Sequence, residues 1–379
     1  MSRFIPFSKP CSDEEEIKAV TEVIRSGWWT TGPAVFEFEK KVIEFLGDET
    51  LQAVALNSCT AALFLALKAL GIGPGDAVAV PTVTYVATAH VVEWCGAELV
   101  LCDIDFDTLC ISVESLKKHK DKNIKAVMPV HMAGLPCDMQ PLVQYCKERN
   151  IKIVEDAAHS FGAKDRGLQT GTIGDAGAFS FYATKVLACG EGGMLVSRNQ
   201  ELIERARKLS YFGIDKRAFE RYTAKGTWYY EVEDLGYKFN MDSIHAALGI
   251  VQLKKQAMMF EKRLKIARFY DENLPEAIMR PARRESVSHV WHLYPIKLPD
   301  GVDRDRVFQG LREMGIGTSV HFIPLHRHPY FASRFRADDY PEAEKNYLRS
   351  LSLPLHAGMS VEDAEFVVHS VRQILESLA

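Results

Sequence analysis

The chain is predicted to be an α/β protein. It should have a large domain built on a mostly parallel sheet and a smaller C-terminal α+β domain. Three observations carry this. Between about residues 50 and 200, short apolar runs rich in β-branched residues alternate with helical stretches. After residue 242 that rhythm stops, and a long helical stretch is followed by shorter mixed elements. The length, 379 residues, also exceeds the roughly 250–300 residues that a single core usually sustains. The boundary is expected near residue 250, giving 1–250 as the large domain and 251–379 as the small one.

The first element is an N-terminal helix in SDEEEIKAVTEVIRSG. Ser12 and Glu15 read as its capping box and Gly27 as its end. Seven apolar runs follow: AVALNS (53–58), AVAVPTVT (77–84), ELVLCDID (98–105), KAVMPVHM (125–132), KIVEDAA (152–158), AGAFSFYA (176–183) and GGMLVS (192–197). Helical stretches such as 60–70 and 139–150 separate them. Nearly continuous apolar strands between helices mean a parallel sheet covered on both faces. Ligands bind such sheets at the carboxyl ends of the strands. There the runs carry Asn57-Ser58, Thr82 to Tyr85, His131, Asp156 and the segment reaching Lys185. Beyond the sheet, a polar, aromatic and unpatterned stretch, 215–235, reads as a long loop. A helix from Ser243 to about Asn273, a strand in 289–298, the helix VFQGLREMG and a C-terminal helix complete the chain.

Composition narrows the class of partner. The net charge is −4 and charged residues make up 25%, which argues against nucleic acid or an anionic membrane as the main partner. The eight cysteines form no C-x-x-C pair, and several lie in apolar runs. They are expected to be reduced thiols of a cytoplasmic protein. The N-terminus, MSRFIPFSKP, has no apolar core of a signal peptide, and no apolar run approaches the ~18 residues needed to span a bilayer.

Four segments carry chemistry. In KIVEDAAHSFGA a buried strand ends in Glu155-Asp156. Such a carboxylate either caps the next helix or, in a dry cleft, stabilises a cation such as a protonated pyridine nitrogen. In FSFYATKVLACGEGGMLVS, Lys185 lies between two buried strands beside a glycine-rich turn. Desolvation there would lower its pKa and free the amine for a Schiff base, whereas an ordinary lysine is a surface residue. In NSCTAALFLALKALG a strand runs through a small polar turn into a helix. The first N–H groups of that helix, with the Ser58 and Thr60 hydroxyls, form a phosphate site, although any N-capped helix looks similar. In PTVTYVATAH, Tyr85 follows a strand end and is either a rim tyrosine or a platform for an aromatic ring. HFIPLHRH, with His321, His326 and His328, lacks the convergent ligands of a closed metal site. It reads as a loop that contacts substrate or cofactor, and no metal is expected.

In this order the segments resemble the DegT/DnrJ/EryC1/StrS family of sugar aminotransferases, which are pyridoxal 5'-phosphate (PLP) enzymes of fold type I. The resemblance covers nearly the whole chain. It includes SGWWTTGP, CTAALFLAL, PVHMAGLPCDM, EDAAHSFGA, SFYATK, CGEGG, GYKFNMDSIHAALGIVQL, WHLYPIKL and GIGTSVHFIPLH. PFSKP, EDAAH, GYKFN and HVWHL are similar to the branch that makes UDP-4-amino-4-deoxy-L-arabinose. The resemblance implies a role for each matching position. Lys185 is the Schiff-base lysine and moves the proton at the reacting carbon. Asp156 partners the pyridine nitrogen, Tyr85 stacks on the ring and His159 lies near the ring hydroxyl. Thr60 and Ser180, with the backbone of Ala61, hold the phosphate. Lys238 stands where many members have Asn, at a position that reaches the phosphate from the other subunit, so a homodimer with shared active sites is implied. Thr31, His321 and His326 are expected sugar contacts. Lys238 and the basic segment 204–226 are candidates for a nucleotide diphosphate.

The implied reaction moves an amino group from an amino acid, glutamate, to a nucleotide-linked keto-sugar at carbon 4 of a UDP-4-keto sugar. Amination at carbon 3, and a PLP-binding regulatory protein without turnover, are the alternatives. Dehydratases of the family carry histidine at the lysine position, so Lys185 argues for transamination.

Overall fold

The computed structural model describes residues 3–214 and 228–378. The seven apolar runs form the seven strands of one sheet: β1 (Gln52–Leu56), β2 (Ala77–Pro81), β3 (Glu98–Cys102), β4 (Ile124–Val127), β5 (Lys152–Asp156), β6 (Ala176–Ser180) and β7 (Gly193–Ser197). Their spatial order is β1-β7-β6-β5-β4-β2-β3. Only β7 is antiparallel to its neighbours, β1 and β6; the other pairings are parallel. Most runs read in the sequence outlast their strands. The overhanging residues, among them Ser58, Thr82 to Tyr85 and His131, are the turns at the carboxyl ends of the sheet.

Helices cover both faces. The first, α1 (Glu14–Ser26), is capped by Asp13, whose own N–H donates reciprocally to the Glu16 carboxylate, so the capping box lies one residue beyond the expected Ser12–Glu15 pair; Gly27 ends the helix in the left-handed conformation, as expected. A second helix, α2 (Pro33–Leu46), starts with Pro33 in its first turn and ends at left-handed Gly47. It was not anticipated. Its inward face, Val35, Phe38, Val42 and Leu46, has helical spacing. On the same helix, buried Glu39 receives both guanidinium nitrogens of Arg207, at 2.9 and 2.8 Å, and the Ala55 N–H at 2.8 Å. That ties α2 to β1 and to the helix Gln200–Leu209. The helices that start at the ligand end are α3 (Cys59–Ala69) and α4 (Ala87–Trp94).

The expected long helix is α5 (Ser243–Asn273), N-capped by Asp242. Its start packs in the large-domain core through Ala246. Its end packs in a second core through Ile266, Ala267 and Tyr270. A boundary at residue 250 therefore falls inside one continuous helix. The second core also holds Ile5, whose backbone bonds to Gly315 and Gly317 at 2.8 Å each. The first described residues thus pack with the small domain rather than with residues 1–250. In that domain the expected strand 289–298 is shorter: β8 (Tyr294–Lys297) pairs antiparallel with β9 (Ser350–Leu353). Helices Arg304–Glu313 and Val361–Leu378 lie where expected. The loop expected at 215–235 is described only from Trp228. The candidate basic segment 204–226 is helical through Leu209, and its residues 215–226 lie outside the described residues.

Candidate active site

A cavity of about 460 Å³ opens at the carboxyl ends of the strands. Ser58, Thr60, Tyr85, Asp156, His159, Ser180, Lys185 and His321 all line it. Residues more than 260 positions apart in the sequence therefore meet in one place.

Asp156 ends β5 and is 5% exposed. Its carboxylate accepts from Thr88 Oγ1 at 2.8 Å and from the Ala158 N–H at 3.1 Å. Burial pushes its pKa up, and these two bonds and the charge of Lys185 oppose the shift only in part. A cation in the cavity would supply the missing counter-charge. Glu155, one residue earlier, points the other way, as alternation along a strand requires. Its carboxylate accepts from the N–H groups of Gly171, Ile173 and Gly174 at 2.7, 2.6 and 2.6 Å and lies 2.9 Å from His131 Nε2. Because His131 Nδ1 accepts from the Cys137 N–H, the ring hydrogen is on Nε2 and is donated to Glu155. His131 is thus a buried structural residue that does not line the cavity.

Lys185 sits in the turn after β6. The turn is closed by bonds from Lys185 N to Tyr182 O at 2.9 Å, Ala183 N to Gly190 O at 2.9 Å and Cys189 N to Phe181 O at 2.7 Å. Burial lowers the lysine pKa to about 8, against the opposing pull of Cys59 and Asp156. The glycines after it bring the chain against the start of α3. A Cβ on Gly193 would lie 2.3 Å from the Ser58 carbonyl carbon and 2.4 Å from Cys59 N. Only glycine permits this approach, which places the lysine turn beside the polar turn of Ser58 and Thr60.

The remaining positions divide. Ser180 is buried on the cavity. Tyr85 is 61% exposed at the rim, with its ring 6.0 Å from Phe322. His159 is buried, with Nδ1 lacking a hydrogen-bond partner among the described residues. The Ala61 N–H is held by Ser58 Oγ at 3.1 Å, as part of the helix cap. His326 is not on the cavity. Its ring nitrogens lie 2.8 Å from Thr82 Oγ1 and 2.7 Å from Glu344 Oε1, so the expected sugar contact is replaced by a buried bridge. Thr31 also lies off this cavity, donating to Met241 O at 2.7 Å and accepting from Asn240 at 2.6 Å. Lys238 is exposed and donates to Asn240 Oδ1 at 2.5 Å. Thr88, His292, Phe7 and Leu355 line the cavity without having been singled out. Thr88 had no signal beyond its place in the first turn after Tyr85. His292 and Phe7 stood only inside the strings HVWHL and PFSKP. Among the described residues, no group of three or more His, Cys, Asp or Glu side chains is placed to hold a metal.

The site fits PLP. A lysine with a destabilised ammonium faces the same cavity as a buried carboxylate that lacks a full counter-charge. A polar helix start and an unpartnered imidazole nitrogen lie alongside. The comparisons agree. The spore coat polysaccharide biosynthesis protein SpsC of Bacillus subtilis is 44% identical over 99% of this chain and 98% of its own. Spr1654 of Streptococcus pneumoniae in its PLP form superposes with a TM-score of 0.91 at 32% identity, covering 100% of both chains. PseC of Helicobacter pylori, an aminotransferase involved in the biosynthesis of pseudoaminic acid, has a TM-score of 0.91 at 28% identity, over 99% and 100% of the two chains. Residues 10–372 match the model of a family whose members are PLP enzymes of fold type I, and the chain belongs to that DegT/DnrJ/EryC1/StrS aminotransferase family.

Proposed function

We propose that this protein transfers the amino group of glutamate to a nucleotide-linked keto-sugar, at carbon 4 of a UDP-4-keto sugar. One observation carries the catalytic part: Lys185, its pKa lowered to about 8, lines the same cavity as buried Asp156. When bound, PLP supplies an electron-withdrawing ring that makes loss of a proton from the donor's α-carbon feasible. Asp156 would hold the ring nitrogen, its oxygens oriented by Thr88 and Ala158. Lys185 Nζ would attach the cofactor and, once displaced by the donor, remove and return the proton at the reacting carbon. At pH 7 about a tenth of this amine is neutral, against well under a thousandth for an ordinary lysine. Thr60 and Ser180 would hold the phosphate, Tyr85 would cover the ring and His159 would meet its hydroxyl.

A sugar substrate is supported by the relatives SpsC and PseC, whose names place them in polysaccharide and pseudoaminic acid biosynthesis. Position and nucleotide rest on the resemblance in PFSKP, EDAAH, GYKFN and HVWHL. A homodimer with shared sites is part of the proposal. Lys238, exposed and off its own cavity, would reach the cofactor phosphate of a second copy, and Thr31 the sugar there. Exposed Trp228, Tyr230, Val232 and Leu235, at 83, 42, 65 and 81%, are apolar surface that such a contact would cover. Eight free thiols favour a reducing compartment such as the cytoplasm, and no helix among the described residues is long and apolar enough to cross a membrane.

The test is the visible absorbance of the PLP-loaded protein. The band should bleach with glutamate, return with a UDP-4-keto sugar, and be absent in Lys185→Ala. A Lys185→Ala protein with the wild-type band would refute the role of Lys185. Recovery with 3-keto but not 4-keto sugars would move the reaction to carbon 3. A band that no amino acid changes would favour binding without turnover.

A further inference from the structure

The cavity has two unlike sides. The large domain supplies the charged floor, Asp156 and Lys185. The opposite side comes from the N-terminal segment and the small domain, and its polar groups include two imidazoles, His292 and His321. His292 is 5% exposed, and its Nδ1 has no hydrogen-bond partner among the described residues. Its ring lies 4.5 Å from that of His159, whose Nδ1 is also unpartnered. His321 stacks on Phe7 at 5.2 Å, and its Nδ1 is 2.9 Å from Ser352 Oγ; with Nδ1 accepting from that hydroxyl, the ring hydrogen is on Nε2 and is left for a ligand. Burial holds His292 well below the usual imidazole range, helped by His159, Lys185, Arg263 and His321. It brings His321 down to about 4. Both rings are therefore neutral near pH 7, each with one N–H to donate.

Among the described residues no arginine lines this cavity. Buried Arg263 donates instead to the carbonyls of Trp291 and Leu355, at 3.3 and 3.0 Å. Yet an amino-acid donor brings an α-carboxylate that must be received, while a keto-sugar in the same cavity brings hydroxyls. A fixed guanidinium would be left as an uncompensated buried charge against the sugar. A neutral imidazole N–H can donate to a carboxylate or to a hydroxyl oxygen at little cost to either.

We propose that His292 and His321 form the subsite that receives the donor's α-carboxylate. The inference rests on the transamination reading above. Both histidines are specificity-determining residues rather than members of the proton-transfer machinery.

The test compares glutamate with 4-aminobutanoate, which keeps the amine and the distal carboxylate but lacks the α-carboxylate. Bleaching of the PLP band is followed at increasing concentrations of each. The wild type should prefer glutamate. His292→Phe and His321→Phe should each cut that preference about tenfold or more, the scale of a lost hydrogen bond to a charged group. The change should come from weaker apparent glutamate binding, with the 4-aminobutanoate response falling less. His292→Gln, which keeps an N–H, should recover part of it. A preference that stays at the wild-type value in PLP-loaded His292→Phe and His321→Phe overturns the subsite. If His292→Phe fails to hold the cofactor, His321→Phe and His292→Gln decide the same comparison. A wild-type band that answers no amino acid overturns the transamination reading, and this subsite with it.

Discussion

Two carboxylates end strand β5 one residue apart, and they meet opposite environments. On the Glu155 side the loop 171–174 closes over the carboxylate, which takes three backbone N–H groups and the His131 ring. That charge is fully buried and fully partnered. On the Asp156 side, the carboxylate faces the cavity with two hydrogen bonds and a raised pKa. Burial alone does not mark a functional acid. Burial with incomplete compensation does, because an uncompensated group has free energy still to gain from a ligand.

The contrast can be broken or sharpened by substitution. Lys185→Ala should have the largest effect, about 10⁴-fold or more in kcat/KM, since it removes both cofactor attachment and proton transfer. Loss of a borohydride-trapped cofactor adduct, read by mass, would confirm the residue. Next, Asp156→Asn should cost about 10³-fold in kcat, on the scale of losing one preorganised electrostatic partner. It should not lower the melting temperature of the cofactor-free protein at pH 7. The sign follows from the raised folded pKa: the ionised form costs stability above that pKa, and the cost fades as pH falls through it. Any gain from Asn should therefore shrink toward acidic pH, and a large loss of stability at pH 7 would erase the distinction between the two acids.

Glu155→Gln should do the reverse. It should cost about 3 kcal/mol of stability, as three N–H groups and an imidazole lose their anion, while kcat per folded, PLP-loaded molecule stays within a few-fold. Denaturant unfolding and active-site titration would read the two halves separately. The smallest effect is expected for Thr88→Val, which removes one bond to Asp156. About tenfold in kcat is expected, with a further rise in the Asp156 pKa. The acid limb of the pH–kcat profile should move up, and an unmoved limb would mean that Thr88 is only a helix residue.

Much of the site was legible in the sequence because strand ends can be read from it. Seven apolar runs fell on seven strands, so the polar residues after them had to lie at one edge of the sheet. Lys185, Asp156, Thr60, Ser180 and His159, singled out this way or by the family resemblance, all line the cavity. The errors have separate causes. His326 looked like His321, five residues away in the same loop, but its ring is taken by Thr82 and Glu344. Helix α2 was missed because its apolar face is narrow and its start, SGWWTTGP, reads as a turn.

By itself the sequence determined the alternation of strands and helices, the family, and the lysine and strand-end acid that share the cavity. These depend on local periodicity and on residue types at strand ends. Tertiary structure alone decided which acid is compensated, which histidines face the cavity, and that Phe7 and Ile5 join the small-domain side. Burial and hydrogen-bond satisfaction depend on segments hundreds of residues apart. Neither spacing nor composition carries that information until the chain has folded.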